Sequence, residues 1–197
     1  MPATPRTPDA AVHPMFLDRW SPRAFKSEPL TDTQLASLFE AMRWAPSSYN
    51  EQPWMVVYGH GPGTDDHKRV LSCLVPFNQS WAHAAPLVLI LFGRRRFASS
   101  GKPNRHAGFD CGSAWMSLAL QAHALGLHAH AMAGFDEAKA YTELGVPEPD
   151  FEAMAAIAVG VHGDPADLPE SLRARETHSS RVPAASFLHR GRYSPAG

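Results

Sequence analysis

The stretch from Phe109 to Leu125 constrains this chain most: it is long, rich in alanine and apolar on nearly every side. A helix without a polar face has to be covered all round. The stretch therefore predicts a buried central helix, closed by Gly126 at the C′ position, where a left-handed backbone carries no Cβ strain. A chain of 197 residues, 44% of them apolar, can supply that cover from a single domain, since one domain typically takes roughly 150 residues.

The segments around this helix alternate irregularly between two periodicities. Thr31 is a candidate N-cap with Gln34 placed as in a capping box, and Leu35, Leu38, Phe39 and Met42 fall on one face before Pro46 ends the pattern. Trp54 to Tyr58, Leu87 to Phe92, Leu127 to Met132 and Ala155 to Val161 read as short buried strands, and Asp136 caps a helix running to about Leu144. A strict βαβ alternation is missing, which predicts an α+β domain with a central mixed sheet flanked by helices. Residues 1–12 read as a loose arm, and 163–197 as an extension with scattered Pro and Arg and no period of its own. An apolar helix and an unpatterned tail both need a surface to pack on. A closed homodimer, with the tail exchanged between subunits, is the simplest source of one.

Charge and cysteine content exclude several classes. Lys and Arg number 18 against 19 Asp and Glu, a formal charge of -1, so there is no positive field for nucleic acid or an anionic membrane surface. Cys73 and Cys111 are too few for a disulfide framework and lack zinc-site spacing, which points to a reducing cytoplasm. The opening MPATPRTPDAAVHP is too broken by proline for a signal-peptide core, and the apolar run from Pro86 to Phe92 is far short of the roughly 20 residues of a membrane helix. The expectation is a soluble protein.

Two segments carry chemistry. Arg19-Trp20-Ser21-Pro22-Arg23 sets two guanidiniums and a hydroxyl on a backbone that proline keeps from becoming helical, so that Arg19, Ser21 and Arg23 can converge on one anion. The plain alternative is a pair of solvated surface arginines. Ala45 to Trp54 (APSSYNEQPW) joins the capped helix to the first strand through small, polar and proline residues, which expose backbone N–H groups and amides beside an apolar strand. Such a loop suits a flat heterocycle with several hydrogen-bonding edges, or it is simply a rigid turn with Trp54 in the core.

In R-x-S-x-R and P-S-S-x-N-x-Q-P-W, followed in order by Asn78, Ala85-Pro86, Asp110, Gly126, Gly134-Phe135-Asp136, Gly160 and Arg181, the chain resembles the FMN-dependent nitroreductase family over roughly residues 14–182. The resemblance implies that the stretch from Arg19 through Trp20 to Ser21 binds the FMN phosphate and ribityl end, joined by Arg181. It also implies that Arg23 lies near the N1/C2=O edge of the flavin and that Asn78 bonds its pyrimidine part. Pro46, Ser47, Ser48 and Asn50 would address the flavin of the partner subunit, and Ala133 and Gly134 would present backbone near N5. NADH or NADPH is the implied electron donor and a nitroaromatic or quinone the default acceptor. The flavin carries that chemistry, so no catalytic side chain is named. Many family members have an acidic residue where Ala133 stands and a lysine where Ser179 stands. These departures motivate an alternative, a flavin-sequestering protein without rapid turnover.

Other motifs carry less. Gly59-His60-Gly61-Pro62-Gly63 lacks the spacing of a dinucleotide glycine loop, and no acidic residue stands between Val70 and Ala85 to hold a ribose. His128 and His130 alternate on a strand but lack a third ligand, so no metal site is expected. Arg94-Arg95-Arg96 opens a basic loop that is either solvated or poised to meet a phosphorylated donor.

Overall fold

Helices and strands follow one another as α1 (Met15–Asp18), α2 (Asp32–Arg43), β1 (Trp54–His60), α3 (Asp65–Ser72), α4 (Pro76–Ala82), β2 (Leu87–Arg94), α5 (Ala107–Ala124), β3 (His128–Met132), α6 (Glu137–Leu144), β4 (Phe151–Gly160) and α7 (Glu170–Arg173). They come from a computed structural model, which describes residues 6–193. The strands form one sheet in the order β1-β2-β4-β3. The expected mixed sheet is corrected here: every neighbouring pair is antiparallel. β1 and β2 are sequential neighbours, as are β3 and β4, and the helices between them return the chain beside the strand it left, in the opposite sense.

The central strands β2 and β4 sort their side chains by parity. Leu87, Leu89, Leu91, Ile157 and Val159 face the layer of α2 and α5, with Leu38, Met42, Leu118 and Ala122. Val88, Ile90, Phe92, Ala156 and Ala158 face the opposite layer, with Val70, Trp81, Ala140 and Leu172 from α3, α4, α6 and α7. A strand buried on both faces reads as a continuous apolar run, which is why LVLILF shows no alternation.

Capping follows the sequence closely. Thr31 and Gln34 form the reciprocal capping box of α2. The Asp136 side chain accepts from the Lys139 amide to start α6. Gly126, at φ +73, ends α5 in a Schellman turn whose Leu127 amide donates 2.8 Å to the Ala122 carbonyl. Helices α3 and α4 fill a span in which the sequence shows little periodicity; Thr64 caps the first and Pro76 stands in the first turn of the second. The glycines after β1 also find a structural role: a Cβ at Gly59 would sit 2.4 Å from the Asp66 carbonyl and from His67, so the residue is small to let α3 pack against the strand.

Two expectations about α5 and the tail are revised. α5 buries only one side, through Ala107, Asp110, Cys111, Ala114, Leu118, Ala119 and Ala122, while Phe109 on the other side is 79% exposed. Among the described residues that helix packs against the sheet, α2 and α1. The start of the 163–197 extension is not free to leave its own chain, because Leu168 and Leu172 are buried in the core. Of the loose arm, residues 1–5 lie outside the described residues, as do 194–197 of the extension, and from Arg6 onward the arm is tied to the body by side-chain bonds.

Candidate functional site

Arg19 leaves α1 in extended conformation and opens the loop to Arg23. Its guanidinium is half-buried, and its Nε is shielded from water without a hydrogen-bond partner among the described residues. Burial first, then the charges of Arg6 and Arg181, push its pKa down. Arg6 is lowered in the same way by burial and by Arg181, with Asp18 opposing. Three guanidiniums are thus held close together, with the Asp18 carboxylate acting against their mutual repulsion, an arrangement that a bound dianion would satisfy. Arg181 is fixed by Ser179, whose hydroxyl accepts from its Nη1 at 2.9 Å. Ser21 lies between Arg19 and Arg23, half-buried.

Trp20 packs into a cage of histidines: its ring lies 4.7 Å from His178, 5.3 Å from His162 and 6.2 Å from His128. The backbone of the loop is anchored from behind. The Glu176 carboxylate, its side chain 1% exposed, accepts from the amides of Arg23 and Ala24 at 2.8 Å, and His130 Nδ1 lies 2.8 Å from the Pro22 carbonyl. His130 and His128 are therefore engaged with the loop. The Arg23 pKa is lowered by burial and by Arg175, with Glu176 opposing.

A second group forms at the end of β3. Asn78 on α4, 8% exposed, donates through Nδ2 to the Gly134 carbonyl at 2.9 Å, and the Val75 amide reaches the same oxygen at 3.1 Å. A Cβ on Gly134 would stand 2.5 Å from Asn78 Nδ2, so glycine there sets how closely the two residues approach. Ala133 beside it is exposed.

The third group is the loop of Pro46, Ser47, Ser48 and Asn50. Tyr49, Asn50 and Gln52 all take positive φ, at 55°, 55° and 50°, which costs of order 1 kcal/mol or more per residue and needs surrounding support. Support comes from buried Asp110 of α5, which accepts the Ser48 amide at 3.1 Å, from the Ser47 hydroxyl, which accepts the Gln52 amide at 3.0 Å, and from Glu51, which accepts the Ala98 amide at 2.6 Å. No hydrogen bond or ion pair among the described residues joins this loop to Arg19, Asn78, Gly134 or Arg181. Within one chain the predicted residues therefore fall into an arginine group, an Asn78–Gly134 group and a separate loop.

The sequence reading missed Arg6 and Glu176. Arg6 lies in a proline-rich arm with no periodicity, and Glu176 in the tail has no motif around it, so only long-range contact reveals either. Cys111 is buried and its thiol is pushed up to about 12 by burial and by the neighbouring Asp110, which leaves it inert. Among the described residues no helix is long and apolar enough to cross a membrane.

The model of the nitroreductase family matches residues 17–161. A solved oxidoreductase containing FMN is 39% identical and superposes with a TM-score of 0.91 over 97% of each chain. An NADH dehydrogenase of Thermus thermophilus is 30% identical over 162 residues, 66% of this chain and 77% of that protein. The nitroreductase family protein of Streptococcus pneumoniae, 17% identical, shares the fold at a TM-score of 0.70 over 89% of this chain and 98% of its own.

Proposed function

Since this chain belongs to the nitroreductase family, we propose that it is an FMN-dependent oxidoreductase that passes reducing equivalents from NADH or NADPH to a small, flat organic acceptor such as a nitroaromatic or quinone. The observation that carries the reading is the cluster of Arg6, Arg19 and Arg181, with the Nε of Arg19 buried and unpaired. Such a group fits the phosphate of a mononucleotide, because like charges held together repel unless an anion joins them.

In this reading Arg19, Ser21 and Arg181 bind the phosphate end. Asn78, oriented by its bond to the Gly134 carbonyl, offers its amide to the pyrimidine part of the ring, and exposed Ala133 beside half-buried Gly134 leaves space at the reacting edge. Arg23 offers a cation where negative charge gathers on reduction, and Glu176 fixes the backbone that carries it before the reaction begins. When bound, FMN supplies the hydride chemistry, accepting from the nicotinamide and delivering to the acceptor in turn. No side chain of this chain is required as acid, base or nucleophile.

We further read the protein as a homodimer whose flavin sites lie at the subunit interface. The exposed face of α5 with Phe109, the strained loop with no hydrogen bond to the arginine group among the described residues, and the exposed Val182, Phe187, Leu188 and Tyr193 of the tail support it. The deciding experiment is the absorbance of the purified protein, followed by anaerobic addition of NADH or NADPH. A flavin spectrum that bleaches and is restored by a quinone is expected. Bound flavin that neither donor bleaches points instead to sequestration, and a colourless protein that takes up no FMN sinks the reading.

A further inference from the structure

The N-terminal arm has no part in the family match, which begins at residue 17, yet Arg6 reaches across to the arginine group from it. Its Nη1 donates to the carbonyls of Leu17 and Arg19, the latter at 2.8 Å, and its Nε donates to the Ser179 carbonyl at 3.3 Å. One planar guanidinium therefore holds two segments far apart in the chain, the one that carries Arg19 and the one that carries Arg181. A second bond closes the same seam: the Ala184 amide donates to Asp9 Oδ2 at 2.8 Å. Arg6 and Arg181 both line the cavity of about 720 Å³ between arm and tail. Holding a third cation beside two others is unfavourable in the absence of an anion, and nothing in the packing requires a cation there: the carbonyls of Leu17, Arg19 and Ser179 would accept from any donor.

We propose that Arg6 is a positioning residue of the cofactor-phosphate site: it clasps Arg19 and the Arg181 segment together and adds the third positive charge that the phosphate of FMN meets. The proposal rests on the FMN reading above. It also accounts for Ser179, which stands where a lysine is common in the family, since the guanidinium bound to the Ser179 carbonyl brings a charge to that place from the arm instead.

The test uses the full-length protein freed of flavin and titrated with FMN and with riboflavin, which shares the ring and ribityl chain but lacks the phosphate. Arg6→Gln should raise the Kd for FMN about tenfold and leave that for riboflavin nearly unchanged, so that the preference for FMN falls by the same factor. Ser179→Lys placed on Arg6→Gln should restore most of the FMN preference, because it returns a cation to the site without rebuilding the clasp. Equal losses for the two ligands would reduce Arg6 to a structural brace and overturn its charge role. An unchanged FMN Kd would overturn the proposal entirely while leaving the cofactor reading intact, whereas a parent protein that binds no FMN would remove both.

Discussion

A carboxylate shut away from water needs donors, and at Glu176 the donors are the backbone itself. The two amides it accepts belong to consecutive residues, Arg23 and Ala24, so the carboxylate acts as a clamp on the segment that carries the proposed N1-side cation. Glu176→Ala should leave those amides without partners and lower stability by about 2–3 kcal/mol, read as a drop in Tm with FMN absent. Arg23→Gln tests the cation separately. Because charge appears at the flavin N1 edge only on reduction, the variant should lower the midpoint potential, by roughly 30 mV for each 1.4 kcal/mol of lost preference, more than it weakens oxidised FMN. Exposed Arg105 is the control: Arg95, by contrast, donates to the Glu148 and Phe151 carbonyls and is structural. A potential unmoved in Arg23→Gln would place that side chain elsewhere. Gly134→Ala carries a steric expectation, since its Cβ would fall 2.5 Å from Asn78 Nδ2 and 3.1 Å from Val75; turning buried Asn78 away gives up its bond to the Gly134 carbonyl, so flavin uptake should fall and the Tm should drop by the equivalent of about 1–3 kcal/mol.

Among the elements, those with strong local signals were legible in the sequence. The capping box of α2, the glycine end of α5 and the uninterrupted apolar run of β2 follow from rules that act within a few residues. Strand direction was not legible, because antiparallel and parallel buried strands present the same apolar run and only the connections decide. Nor was the partial exposure of α5, whose apolar composition predicts cover on every side. The motif segments were read correctly as loops, but the partners that fix them, Glu176 and Asp110, stand far away in sequence. β3 adds an element-scale consequence. His128 sits against Trp20 and His162, and burial, followed by the charges of His162, His123 and His178, pulls its pKa down from 6.5 to about 4. The unfolded chain takes up this proton first on acidification, so the stability gained by keeping His128 neutral is complete above pH 6.5 and is lost as pH falls toward 4. The Tm should drop over that window, and His128→Gln should flatten the drop; an equally steep profile in the variant would assign the acid sensitivity to other groups.

For the whole molecule, the proposed homodimer makes the C-terminal extension the segment to test. The extension divides at about His178. Before it, Leu168 and Leu172 are buried in this chain's own core and Glu176 clamps the arginine loop; after it, the residues from Ser179 to Tyr193 are exposed except for Ala184, which is half-buried. Two truncations should therefore behave differently. A chain ending at Gly163 gives up the burial of two leucines, about 1.5–3 kcal/mol each, together with the Glu176 clamp, a loss large enough against ordinary domain stability to leave it unfolded or aggregated. A chain ending at His178 keeps all of that and should fold with near-parental secondary structure, but it lacks Arg181 and the apolar tail, so FMN affinity should fall and sedimentation should report monomer. Phe109→Asp tests the proposed interface from the other side: it places a charge on the open face of α5 without touching the core, and it should also give monomer while the Tm of the isolated subunit changes little. If the chain ending at His178 sediments as a dimer, the tail is not what joins the subunits. If Phe109→Asp does so too, the open face of α5 is not the interface either, and the flavin sites would have to be complete within one chain.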